Sequence, residues 1–332
     1  MEQTRSSKQI IAHCSLMLSL AILLQFASAM FTFLGILATF FWVVPVVLAV
    51  HYDGIGGGVF VAVAASAFSF LLMGFYDGLI SAYVMIGLGL FYGIRLKQKA
   101  EPGKTLLIGI LASVILMAAY FFTADSFGGI TVSDMMASFE QTLNDVVKDY
   151  TDAGLFDQAV KEGISVKTFK AQIMATMTVL LPSFFFVGAM IIAALNYIFA
   201  QNILKNRAED IRALPPFIQW HLPWWCLWGL VLSLMLFVAG NFFDAEYLVT
   251  AAKNILLCYI PVLMITGISM VRFIFVKLKV GAGIQALLWI MAFFFLSVSM
   301  IFLCFLGGAD AAMDYRKMPD KRNHKNNGGS GI

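Results

Sequence analysis

QIIAHCSLMLSLAILLQFASAMFTFLGILATFFWVVPVVLAVHY, residues 9–52, contains no Asp, Glu, Lys or Arg. The same is true of residues 54–76, 78–94, 105–124, 171–204, 213–243, 254–271 and 280–309. An ion at the centre of a bilayer is costly, so a chain that confines charge to the gaps between long apolar runs is built to cross lipid repeatedly. Composition agrees: 61% of the residues are hydrophobic and only 12% are charged, against roughly 25% charged in a soluble domain. The sequence thus reads as all-α, a polytopic transmembrane bundle of about 8–9 spans.

A helix needs about 20 apolar residues to cross the hydrocarbon. The run from Gln9 to Tyr52 holds two such helices, broken near Met30–Gly35, and the later runs hold one each. The spacing predicts spans at about 10–30, 33–50, 54–74, 76–94, 104–123, 172–200, 223–242, 251–272 and 282–306. Residues 1–200 then form a membrane core, 201–222 a Pro/Trp loop, 223–306 the C-terminal spans and 307–332 a polar tail, partly disordered. Arg5 and Lys8 before an apolar run ending in Ala27-Ser28-Ala29 imitate a secretory signal. The run exceeds the usual signal core of about 7–15 residues and a second span follows at once, so it is read as the first helix.

Arg95, Lys97, Lys99 and Lys104 mark one loop as cytoplasmic; Lys205, Arg207 and Arg212 mark a second, and Arg272, Lys277 and Lys279 a third. Counting back places the N-terminus in the cytoplasm and the insertion 124–171, with eight acids against four lysines, outside. Nine crossings would put the tail outside, yet Arg316, Lys317, Lys321, Arg322 and Lys325 favour the cytoplasm. Either one run is re-entrant or the tail breaks the rule.

The insertion shows the clearest periodicity. Val132, Met135, Met136, Phe139, Leu143, Val146, Val147 and Tyr150 recur at three and four, with Ser133 as a plausible N-cap. A short helix is expected around 155–161 between Gly154 and Gly163, and Ser165 is placed to cap a helix entering the next span. The stripe fits a lid over the outer face or an amphipathic connector lying on the bilayer. Trp220, Trp224, Trp225 and Trp228 fit an interfacial belt or a docking surface for a soluble partner.

Inside the spans the polar groups are few. Gln25, Asn196, Asn254 and Gln285 are the amides, and Pro45, Pro182 and Pro261 are expected to interrupt helices. A buried amide usually bonds a neighbouring helix. Asn254 with Pro261 is the strongest alternative, because a carbonyl freed at a helix break is how many transporters build a site; Gln25 and Asn196 are weaker ligand candidates. Asp53 and Asp77 sit at span ends as expected helix caps. Gly54, Gly58, Gly89 and Gly93 are small residues at helix-packing spacing. Cys14, Cys226, Cys258 and Cys304 stand singly, without metal or redox spacing. No Walker A, zinc-protease or nucleophile-elbow motif occurs, and no basic stripe with interleaved aromatics. The expectation is a protein that is not an enzyme, uses no cofactor or metal and does not bind nucleic acid, with the lipid bilayer as its main partner.

Two stretches carry a family resemblance. Phe31 to Gly93, with Pro45, His51-Tyr52-Asp53-Gly54, a small-residue helix and then Gly74 to Arg95, resembles the N-terminal half of the substrate-binding (S) components of energy-coupling-factor vitamin transporters. Leu214-Pro215-Pro216-Phe217 with Trp220 and Pro223, then Asn254 and Gly267, then Gly307-Gly308-Ala309-Asp310 and Asp314-Tyr315-Arg316, is similar to the YybS-like family of bacterial membrane proteins, a domain of unknown function distantly similar to those S components. The resemblance spans roughly 10–315 and implies a bacterial inner-membrane protein whose first six spans hold a small molecule near the outer face. It also implies docking on a membrane coupling protein driven by ATPase subunits. Pro215, Pro216, Trp220, Asp310, Asp314 and Arg316 match the family pattern without an assigned role. This chain departs from S components in its extra C-terminal spans and the 124–171 insertion.

Overall fold

The computed structural model describes residues 6–129, 131–153, 165–207, 209–313 and 315–316, and no strand occurs among them. Asp314, Gly154, Gly163 and the helix expected at 155–161 lie outside the described residues. Eight helical segments are long and apolar enough to cross a membrane. The chain divides into two compact units, Met1–Leu214 and Pro215–Ile332.

In the first unit, α1 (Ser7–Met30) opens with a capping box between Ser6 and Gln9. A short α2 (Thr32–Thr39) and a turn lead into α3 (Val44–Leu72). Pro45 stands in the first turn of α3, where its missing N–H costs nothing, so it starts the helix rather than interrupting it. Every residue from Val43 to Val50 is buried. An element apolar on all faces belongs at the centre of a bundle, and this run is the axis of the unit.

Gly54 interrupts α3 with φ 83° and ψ 179°, a conformation closed to residues with a Cβ. A straight helix would hold Val50 and Gly58 about 12 Å apart along its axis, whereas here a Cβ on Gly58 would overlap the Val50 side chain. The helix therefore doubles back at Gly54, within the apolar segment Gly35–Leu72. The next reversal repeats the device. Gly74 has φ 98° and ψ 179°, and a Cβ on Gly78, four residues on, would overlap Phe70, four residues back. Asp77 sits in the first turn of α4 (Phe75–Ala82), and the N-cap position belongs to Gly74, correcting the expectation that Asp77 is the cap.

After α4 comes a π-helix (Tyr83–Gly89), then α5 (Leu90–Lys97) and α6 (Pro102–Ser126). Gly89 lies 2.9 Å, measured from a built Cβ, from Val46, and Gly93 meets Val50 at 2.6 Å, so the GxxxG face packs on the central helix. The amphipathic α7 (Val132–Asp152) is capped by Thr131, which forms a capping box with Asp134, not by Ser133. Ser165 caps α8 (Val166–Asn206) as expected, its Oγ accepting from the Thr168 N–H at 3.1 Å.

The second unit begins with two 3₁₀ turns, Phe217–Gln219 and Trp224–Cys226. It continues with α9 (Leu227–Phe242), α10 (Glu246–Lys277), α11 (Ala282–Phe294) and α12 (Leu296–Met313). Ser233 Oγ donates to the Ala252 carbonyl at 2.9 Å, Tyr259 OH to that of Cys226 at 2.7 Å and Ser269 Oγ to that of Phe217 at 2.6 Å. One number rises as the other falls, so segment 217–242 runs antiparallel to α10. The span expected at 282–306 is broken at Phe295. At 1.5 Å per residue, α11 spans about 20 Å, short of a hydrocarbon core of about 30 Å. Arg316, just past α12, donates to the carbonyls of Ile218 and Trp220. A single crossing would have carried Arg316 to the other end of α10. The pair α11–α12 therefore enters and returns, and the tail begins on the side of the 215–220 loop.

Candidate functional site

A cavity of about 100 Å³ opens in the first unit. Its walls are Thr39 of α2, Trp42 of the following turn, Tyr83, Val84 and Leu88 of the π-helix, Ser113, Leu116, Met117 and Tyr120 of α6, and Ala189 and Ile192 of α8. A shallower groove of about 570 Å³, bordered by Ser28, Gly35, Phe40 and Gly188, shares Thr39 and Ile192 with it. Both lie away from the chain ends that carry Arg95, Lys97 and Lys104.

The reason for a void here is local. At the other end of the unit the helices close on Val46 and Val50 through Gly58, Gly89 and Gly93. Around the cavity Trp42, Tyr83 and Tyr120 stand in the wall. The π-helix widens the backbone at this level, a feature that recurs at functional sites. The lining is largely committed: Ser113 Oγ donates to the Ala189 carbonyl at 3.1 Å, Thr39 Oγ1 to that of Ile36 at 2.7 Å and Trp42 Nε1 to Ser28 Oγ at 2.8 Å. What remains is an apolar slot edged by the Tyr83 and Tyr120 rings. Such a slot can take a small, flat, mostly apolar molecule and offer it one or two hydroxyls.

The amides do not line it. Asn196 Oδ1 accepts from the Val43 N–H at 3.1 Å, and its Nδ2 donates to the Thr39 carbonyl at 3.2 Å. It ties α8 to the turn that opens the central helix and so fixes one wall of the cavity. Gln25 is buried against the π-helix side of the unit, its Nε2 donating to Ser81 Oγ at 2.5 Å. In the second unit α10 runs through Pro261 without unwinding, and Asn254 Nδ2 donates at 2.9 Å to the Thr250 carbonyl of its own helix. The helix break expected at Pro261 does not occur: the proline sits inside a continuous helix.

At the opposite end of the first unit, beside the Gly54 pivot, the Asp53 carboxylate pairs with His13 Nδ1, and Cys14 Sγ lies 3.6 Å from it. The His51 Nε2 sits 3.2 Å from Glu209 Oε2, and the Tyr52 ring lies edge-on to both imidazoles. The His51 contact holds the Glu209 carboxyl below its usual range. These bonds pin α1 and the 209 segment to the reversal. Sequence reasoning left His13 unmentioned, because a lone histidine in an apolar run carries no spacing signal.

Pro215, Trp220, Asp310 and Arg316 of the second unit meet at one point. Arg316 Nε donates to Asp310 Oδ2 at 2.9 Å, and Nη2 lies 2.8 Å from the same oxygen in an ion pair. The other donors go to the carbonyl of Trp220 at 2.9 Å, to Ser269 Oγ at 3.2 Å and to the carbonyl of Ile218. Four of the five guanidinium N–H groups are thereby hydrogen-bonded. Trp220 Nε1 donates to the Pro215 carbonyl at 2.9 Å and its ring stacks edge-on with Phe217. The Pro215-Pro216 turn is thus held by one arginine from the end of the chain, a clamp rather than a reaction centre.

Long apolar helices, a bundle built on an apolar axis and a mostly apolar internal cavity define an integral, multi-pass membrane protein. The chain belongs to the family described as Predicted membrane protein (DUF2232), whose model matches residues 19–311. No curated protein and no solved structure matches it.

Proposed function

We propose that the first unit binds a small organic solute in the cavity edged by Trp42, Tyr83 and Tyr120 and helps move it across a bacterial inner membrane, in the manner of an S component. The observation that carries this reading is the cavity itself, walled by α2, α4, α6 and α8 with the turn at Trp42 and by a π-helix. Taking Arg95, Lys97, Lys99 and Lys104 as cytoplasmic places the N-terminus inside and opens the cavity toward the exterior, where an S component meets its solute. The chain carries no nucleotide-binding motif, so active uptake would draw on a membrane coupling protein and ATPase subunits.

The purified protein should be stabilised thermally by at least one member of a panel of vitamins and small heterocyclic metabolites. Ala189→Leu, which fills the cavity, should abolish that stabilisation. A panel without effect on the wild type, or an effect that survives the substitution, would count against the reading.

A second reading, a membrane scaffold, is favoured by the exposed apolar residues Val132, Val146 and Tyr150 on α7. Crosslinking separates the two: recovery of ATPase subunits supports transport, and recovery of unrelated envelope machinery supports scaffolding.

A further inference from the structure

α11 has no buried residue, and Phe293 is 75% exposed. It stands off from α10 and α12 and leaves an apolar groove of about 340 Å³ among Val271, Phe275, Trp289, Phe295 and Phe302. Inside a bilayer, hydrocarbon fills an open groove of this kind, since an unfilled one forfeits packing on every wall.

The last turns of α10 and the link to α11, at one end of it, carry three cations, of which Arg272 turns toward α11. Arg272 donates to Gln285 Oε1, and Gln285 Nε2 donates to the Val280 carbonyl at 2.7 Å. Gln285 lies one helical turn before Leu288 and Trp289, so the guanidinium sits one turn from the groove wall. Lys277 is two residues beyond Phe275, its Nζ 5.9 Å from the Phe273 ring centroid, and Lys279 occupies the link to α11 with φ 52°. Among the described residues none of the three pairs with a carboxylate; the ion pairs there involve His13, His51, Lys99, Lys104 and Arg316. An apolar slot ending in three unneutralised cations matches a molecule with a long hydrocarbon tail and an anionic head.

We propose that this groove binds an anionic phospholipid, with an acyl chain along α10, α11 and α12 and its phosphate beside Arg272, Lys277 and Lys279. Cations near a membrane surface each strengthen anionic lipid binding by about fivefold. α11, too short to cross and without a buried residue, then owes part of its position to lipid.

The test titrates the full-length protein in detergent with phosphatidylglycerol, cardiolipin and phosphatidylcholine at equal concentrations and counts bound lipid by native mass spectrometry. The wild type should retain either anionic lipid in preference to phosphatidylcholine. The combined R272Q, K277Q and K279Q variant should lose that preference by about fivefold per cation removed. Ala292→Trp, which fills the groove, should release both lipid classes. Equal retention of phosphatidylcholine by the wild type would overturn the proposal, as would a preference that survives the triple variant. So would lipid still bound to Ala292→Trp, or a lipid-free dimer that only Ala292→Trp disrupts.

Discussion

The two units solve the same problem, closing helices in lipid, and the second adds a charged clamp to the glycine contacts that the first relies on. The first closes on Val43–Val50 by removing side chains: glycines 58, 89 and 93 let backbones approach the axis. The second closes its loop with charge, one arginine bonded to Asp310, Ser269 and two backbone carbonyls. Small-residue contacts set a distance between helices and release it wherever a large side chain returns, which is how the first unit acquires a cavity at one end only. The second unit adds glycine to its clamp: Gly267 comes up against the Leu303 carbonyl and Gly307 against that of Leu263, so α10 and α12 close tightly and α11 is left with no buried face.

The contrast is broken most forcefully at the clamp. Arg316→Ala leaves a buried carboxylate and two carbonyls without donors, and removing one partner of a buried pair costs about 3–5 kcal/mol. Unfolding followed by tryptophan fluorescence should show that loss, and Arg316→Lys, which cannot fork, should recover only part of it.

Next comes the axis. Gly58→Ala places a methyl inside Val50 and should cost about 1–3 kcal/mol, as overpacking does. Val50→Ala in the same chain should return much of it, giving a coupling that the single variants alone cannot produce. If the two effects simply add, the hairpin at Gly54 is wrongly drawn.

Asn196→Ala should destabilise by about 1 kcal/mol, the scale of an interhelical amide in a membrane. Because Asn196 orders the turn holding Trp42, the same variant should weaken solute binding more than it lowers stability, as read by ligand titration against the melting midpoint.

The smallest effect concerns pH. Thr131 donates its backbone N–H and hydroxyl to Asp134, which holds that carboxyl below its usual range. A carboxyl lowered in the folded state contributes stability above its unfolded pKa and loses it as pH falls through the folded value. Hydrogen exchange at the start of α7 should therefore speed up on acidification, and Asp134→Asn should flatten that dependence.

Much of this architecture was legible in the residues. The gaps in charge located the passes, and Gly54 marked a boundary between them, because only glycine tolerates its backbone conformation. The fold-back of α11–α12 was visible only as a conflict between the count of spans and the basic tail; the break at Phe295 has no proline or glycine to announce it. Pro261 misled as a helix break, since a proline inside a long membrane helix need not unwind it when neighbouring helices support the freed carbonyl. The cavity was hidden for a different reason. Trp42, Tyr83 and Tyr120 are spread over three elements, and aromatics in an apolar chain do not stand out until the backbone gathers them.

The most direct test of solute binding is to purify the full chain from its native membrane, denature it and identify by mass spectrometry the small molecules it releases. One organic compound, near one per chain from the wild type and missing from Ala189→Leu, is the predicted result. Nothing released by either protein, or the same compound released equally by both, would contradict it.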